Sequence, residues 1–112
     1  MEKSKKYEKA IIDFFEDYIE NYQTSQDTIK PELVIDKERM RYILLLIGWD
    51  ESRFVYAPLF HFDIVNDKVW LQQNSTDLLI TEDLLKRDIP KSDIVLGFKP
   101  QYARAFEGFG IA

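Results

Sequence analysis

The chain of 112 residues contains no cysteine, which excludes a disulfide framework, a thiolate metal site and a thiol nucleophile. Histidine occurs once, at His61, so a base or metal ligand there needs partners of another kind, and none is identifiable around it. The four glycines are scattered, without a G-x-G-x-x-G or P-loop arrangement to cradle a phosphate, and H-E-x-x-H is absent. No apolar run is long enough to cross a bilayer, and the N-terminal Met-Glu-Lys-Ser-Lys-Lys lacks the apolar segment of a secretory signal. A cytoplasmic protein without membrane contact is therefore expected. Basic residues are outnumbered 15 to 20 by acidic ones, and the net charge of −5 repels phosphate backbones, which disfavours direct nucleic-acid binding. These absences lead to an expectation of no enzyme, no cofactor and no metal.

Apolar material is plentiful. At 46% hydrophobic and 14% aromatic, the chain has enough for one real core and too little length for two, so residues 1–112 are expected to form a single domain. The stretch Met40 to Trp49 is apolar on both parities, as in a central strand covered on both faces; Tyr42, Leu44 and Leu46 point one way, Ile43, Leu45 and Ile47 the other. Upstream, Tyr7, Ala10, Ile11, Phe14, Phe15, Tyr18, Ile19 and Tyr22 follow the three-four spacing of an amphipathic helix over Ser4 to Tyr22, with Ser4 as its cap. Lys3, Lys5, Lys6 and Lys9 are interleaved with Glu2 and Glu8 and read as a solvated face.

Ile29 to Asp36 alternates and contains Pro31, which cannot donate a ladder hydrogen bond, so this strand begins at Pro31 or lies at a sheet edge. A third strand runs from Arg53 to Asp63, with Phe54, Tyr56, Phe60 and Phe62 expected on one face and a bulge or unpaired side at Pro58. Asn66-Asp67 reads as a tight turn into a fourth strand, Lys68 to Gln73. Ser75 or Thr76 is expected to cap a helix reaching Arg87, and Pro100 to open a last short helix, Gln101 to Phe106. The type of Ile94 to Phe98 stays undecided. The fold class is α+β, with a long N-terminal helix on an antiparallel meander of about four strands, followed by one or two shorter helices.

Residues able to carry chemistry are few. Asp63, Asn66 and Asp67 lack calcium-loop spacing and are explained by the turn, and Asp67-Lys68 lacks the spacer of a nuclease acid-x-lysine motif. Arg39, Arg41, Arg53, Arg87 and Arg104 are dispersed, unlike the arginine cluster of a recombinase.

The order Gly48-Trp49, His61, Lys68-Val69-Trp70-Leu71-Gln72, Thr76-Asp77, Pro90 to Phe98 and Arg104 resembles the XisI family, the fdxN-element excision controlling factors of cyanobacteria. Two blocks are the most specific: Trp70-x-Gln72-x-x-x-Thr76, and the run Ile89-Pro90-Lys91 with Asp93-Ile94-Val95-Leu96-Gly97-Phe98. Asn66-Asp67 stands where the family usually has Asp-Gly, Asn74 where an aspartate is common, and Asp88 where a glycine precedes the second block. The resemblance implies a non-enzymatic role in excising a DNA element during heterocyst differentiation. It also implies an XisH-like partner protein, with a site-specific recombinase engaged indirectly. An antitoxin-like inhibitor of an XisH-type nuclease is the sharpest version; a DNA-binding excision factor and a small hydrolase are the alternatives.

Trp70, Gln72, Thr76 and Arg104 are the candidate partner-binding residues. If Val69 and Leu71 face the helix, strand alternation places Trp70 and Gln72 on the opposite face, with Arg104 at its polar rim. The same face is open to a homodimer. The competing interpretation has Thr76 capping a helix, Arg104 paired with a carboxylate and Trp70 in the core.

Overall fold

A computed structural model describes residues 2–22, 28–76, 78–105 and 108–111. Helix α1 spans Glu2–Asn21 and is followed by strands β1 (Ile29–Asp36), β2 (Arg41–Asp50), β3 (Arg53–Val65) and β4 (Lys68–Asn74). Helix α2 (Ile80–Lys86) and strand β5 (Ile94–Leu96) complete the regular structure, with single 3₁₀ turns at Lys91–Asp93 and Gln101–Ala103. The five strands lie in the order β1-β2-β3-β4-β5; the first four form the expected antiparallel meander, and β5 adds to β4 in parallel. Among the described residues no helix is long and apolar enough to cross a membrane.

The apolar stripe of α1 lies on one face of this sheet. Tyr7, Ile11, Phe14 and Phe15 are buried with Tyr42, Leu44, Phe60 and Phe62 beneath them. Phe14 meets Phe60 edge-on at 5.2 Å between centroids, Tyr18 meets the same ring at 5.2 Å, and Phe15 lies 5.7 Å from Phe62. Helix α2 extends this layer with Ile80 and Leu84. It closes in the two bonds of a Schellman motif: Asp88 N–H donates to Leu85 O and Ile89 N–H to Leu84 O, both at 3.1 Å. Asp88 supplies the left-handed residue at φ 68°, a conformation that aspartate adopts more readily than most residues with a side chain. Asn66 and Asp67, at φ 52° and 60°, likewise form the tight β3–β4 turn.

Several expectations are corrected. Helix α1 starts at Glu2, so Ser4 is buried within it rather than capping it. Helix α2 starts at Ile80 with Leu79 at the cap position, because the preceding residues are held differently: the Asn74 side chain accepts from Thr76 N–H at 2.9 Å and Thr76 Oγ1 at 2.7 Å. Asp77 and Phe106 lie outside the described residues. Pro100 occupies the cap position of one 3₁₀ turn instead of opening an α-helix.

The most consequential correction concerns β3. Its register against β2 passes from Phe60 opposite Leu44 to Pro58 opposite Leu45, which makes Leu59 an extra, bulged residue beside the proline. One inserted residue inverts the alternation, so Phe60 and Phe62 face α1 whereas Phe54 and Tyr56 lie on the other side, the outer face. There the expected cover on both sides of β2 fails as well. Leu45 is buried, but Ile43 and Ile47 are only half-buried, and Trp49, Phe54 and Tyr56 are exposed.

Candidate functional site

Strand register sorts the outer face into rows. Toward the β2–β3 hairpin, Trp49 pairs with Phe54, and Ile47 lies between Lys30 and Tyr56. Further along, at the border between the two ends, Ile43 lies between Val34 on one side and His61 on the other, and beyond it toward the opposite end runs a row charged at Asp36, Arg41 and Asp63 that continues to Trp70 and Val95. Hence one half of this face is apolar and the other is polar.

The polar half contains a connected group. His61 and Asp63 are two residues apart on β3, and alternation places both on the outer face, with His61 Nε2 2.9 Å from Asp63 Oδ1. The second oxygen of Asp63 accepts from Gln72 Nε2 at 3.2 Å. Gln72 is itself the bulged residue of β4, since Phe62 pairs with Leu71 and His61 with Gln73. Gly97 closes the group from the β5 side: a Cβ there would come within 2.4 Å of Gln72 Oε1 and 3.1 Å of Trp70 Cε3. A larger residue here would make the Gln72 side chain shift and press on the Trp70 ring.

After β5 the chain returns over the outer face. Gly97 N–H donates to Leu71 O at 3.0 Å, and Gly110 N–H to Ile94 O at 2.8 Å, beside a parallel bridge to Val95. Between these tethers the Arg104 guanidinium sits 5.0 Å from the Trp70 ring centroid while its Nε donates to Lys99 O at 3.0 Å. The cation holds the aromatic face through its quadrupole. Trp70 Nε1 is buried and has no hydrogen-bond partner among the described residues.

Three of the four sequence candidates, Trp70, Gln72 and Arg104, thus meet on the outer face. Thr76 does not join them: it sits past the end of β4, where its Oγ1 accepts from Leu78 N–H at 3.1 Å. His61 and Asp63 belong to the group but were not read from the sequence as a pair, although their spacing of two within one strand was a sufficient signal.

The imidazole and carboxylate resemble a base and its orienting acid, but the cross-strand neighbours of His61 are Ile43 and Gln73, neither of them a nucleophile. Among the described residues there is no group of three or more His, Cys, Asp and Glu that could hold a metal ion.

A second polar group, on the α1 side, is structural. The Tyr7 hydroxyl donates to Asp93, and Lys3 Nζ is 2.9 Å from the same carboxylate, which is buried. Burial pushes the Asp93 carboxyl up, but the hydrogen bonds from Tyr7 and Lys3 and the charges of Lys3 and Lys68 outweigh it and leave it below its ordinary value. The Asp93 of the second family block therefore ties the start of β5 to the first turns of α1. Across α1, an open groove of about 430 Å³ beside Tyr18 and Tyr22 is spanned by Arg87, which is ion-paired with Asp17 at 2.9 Å and with Asp83.

The XisI family, described as XisI protein, matches residues 1–111. Among the solved structures that share the fold are two from one organism. One is a XisI-like protein from Anabaena variabilis ATCC 29413, 33% identical, with a TM-score of 0.90 over 97% of this chain and 99% of that one. The other, the fdxN element excision controlling factor XisI from the same organism, is also 33% identical, with a TM-score of 0.82 over 98% of this chain and 99% of that one. No curated protein matches. Match length, identity and fold agree, and the chain belongs to the XisI family.

Proposed function

We propose that the chain is a non-enzymatic controlling factor for excision of a DNA element and that it works by binding a partner protein of the XisH type. Its sharpest form is an antitoxin-like inhibitor that occupies a nuclease. Family membership supports the excision role, since one relative is named as an fdxN element excision controlling factor. The observation that carries partner binding is the polar half of the outer face, where Trp70 and Arg104 are stacked on the side of the sheet away from α1. Tryptophan and arginine are enriched among the residues that dominate interface energies. The His61–Asp63–Gln72 network beside them holds its side chains in place before any partner arrives, which lowers the ordering cost of binding.

A directly DNA-binding factor is less well supported. The charges of this half alternate, with Arg41 and Arg104 set against Asp36 and Asp63, so no continuous basic track follows a phosphate backbone. The test is calorimetric titration of the purified XisH-like protein into wild type, Trp70→Ala and Arg104→Ala, with Leu85→Ala on α2 as control. We expect each outer-face variant to lose at least about 2 kcal/mol of binding, the size of an interface hot spot, and the control to lose none. Full affinity in folded Trp70→Ala and Arg104→Ala overturns the assignment. Tight sequence-specific binding of duplex DNA by the chain alone favours the direct DNA reading instead.

A further inference from the structure

The apolar half of the outer face uses different residues. Trp49, Phe54 and Tyr56 remain 54%, 50% and 63% exposed, and Val34 48% exposed, around the half-buried Ile43 and Ile47. Trp49 and Phe54 pack against each other at 5.2 Å between ring centroids. We infer that this half is a self-association surface, on which a second copy of the chain docks through the same residues about a two-fold axis.

Area and charge select that occupant. An aromatic side chain carries about 150–250 Å², so roughly 300 Å² of aromatic surface stands in solvent before Val34, Ile43 and Ile47 are added. A standard interface takes about 800 Å² from each partner, arranged as an apolar core inside a polar rim. The patch has the size of such a core, and the residues around it form the rim. That rim is balanced in sign: Lys30 and Glu32, one of each charge, lie on β1 at one side of the patch, opposite Ile47 and Leu45. Acidic residues of the two helices, such as Asp13, Asp17 and Asp83, lie on the other side of the sheet. Two copies therefore meet here without like-charge conflict despite the net −5. A strongly charged partner finds no complement on this patch, whereas an identical surface matches it in both polarity and size.

Sedimentation equilibrium over about 1–300 µM, which spans micromolar dissociation constants, tests the inference on wild type, Tyr56→Glu, Val34→Lys and Leu85→Glu, with folding checked by circular dichroism. Wild type and Leu85→Glu are expected at twice the 13.3 kDa chain mass. Folded Tyr56→Glu and Val34→Lys are expected to dissociate at least about 30-fold more readily, the hot-spot scale. Val34 lies on the edge strand and is half-exposed, so its variant decides the matter if Tyr56→Glu does not fold. A wild type that is monomeric throughout overturns the inference, as does an association unchanged in the folded variants. Trp70→Ala is expected to self-associate normally, which separates this surface from the partner site.

Discussion

Replacing Asp93 by Ala removes the acceptor that holds the buried Tyr7 hydroxyl and the partner of Lys3. A stranded buried hydroxyl costs about 1–3 kcal/mol. The ion pair adds at most about 1 kcal/mol, because Lys3 is 53% exposed and solvent screens it. The expected loss is about 2–3 kcal/mol, which for a domain of this size lowers the melting temperature by roughly 10 °C. The loss should depend on pH. The folded-state pKa of Asp93 is depressed, so the native chain binds fewer protons than the unfolded one, and the contribution is fully present above the ordinary carboxylate value of about 3.9. It disappears as pH falls through the folded value. Thermal melts of wild type and Asp93→Ala from neutral pH to about pH 3, near the carboxylate range, should therefore start well apart and converge. Tyr7→Phe leaves Asp93 with Lys3 and should lose less. Coincident neutral melts, or a gap that widens in acid, would refute the anchor reasoning.

Leu44→Ala, beneath α1 and fully buried, should cost about 2–5 kcal/mol by denaturant titration; a wild-type midpoint would remove β2 from the core. A Cβ at Gly48 would lie 1.8 Å from Thr28 O, so Gly48→Ala should destabilise β1 against β2, read as faster amide exchange over residues 29–35. Above the ordinary tyrosine range of about 10, stability should fall: burial first, then the bonds to Asp93 and Glu8, raise the Tyr7 and Tyr42 hydroxyls. The unfolded chain then loses those protons before the native one does. Tyr42→Phe should flatten that alkaline loss in a melt series, and an unchanged loss would discount it.

Periodicity made the larger elements legible. The α1 stripe and the double parity of β2 are long patterns that no single residue can disturb, and both elements form where the spacing places them. Period-two counting fails at Leu59 because a bulge leaves hydrophobicity unchanged while inverting sidedness, so Phe54 and Tyr56 were assigned to the wrong face. Strand β5, at three residues, is too short to show any period, and its parallel pairing depends on α2 carrying the chain back across the sheet. At the candidate site, alternation sufficed to put Trp70 and Gln72 together. Arg104 was named from the family resemblance, but its contact with Trp70 arises from the fold-back after Gly97, which local pattern does not encode. Asp93 was hidden for a similar reason, since its partner Tyr7 lies 86 residues away.

The outer face carries both tryptophans of the chain, Trp70 in its polar half and Trp49 in its apolar half. Their two indole N–H signals in a nitrogen-15 correlation spectrum therefore report the two halves separately. The decisive measurement follows those signals while unlabelled XisH-like protein is added at constant concentration of the labelled chain. Partner binding through the polar half predicts that the Trp70 indole signal shifts to saturation with the partner, and that Arg104→Ala abolishes the shift at the same concentrations. A complex that forms while the Trp70 signal stays in place would contradict the account.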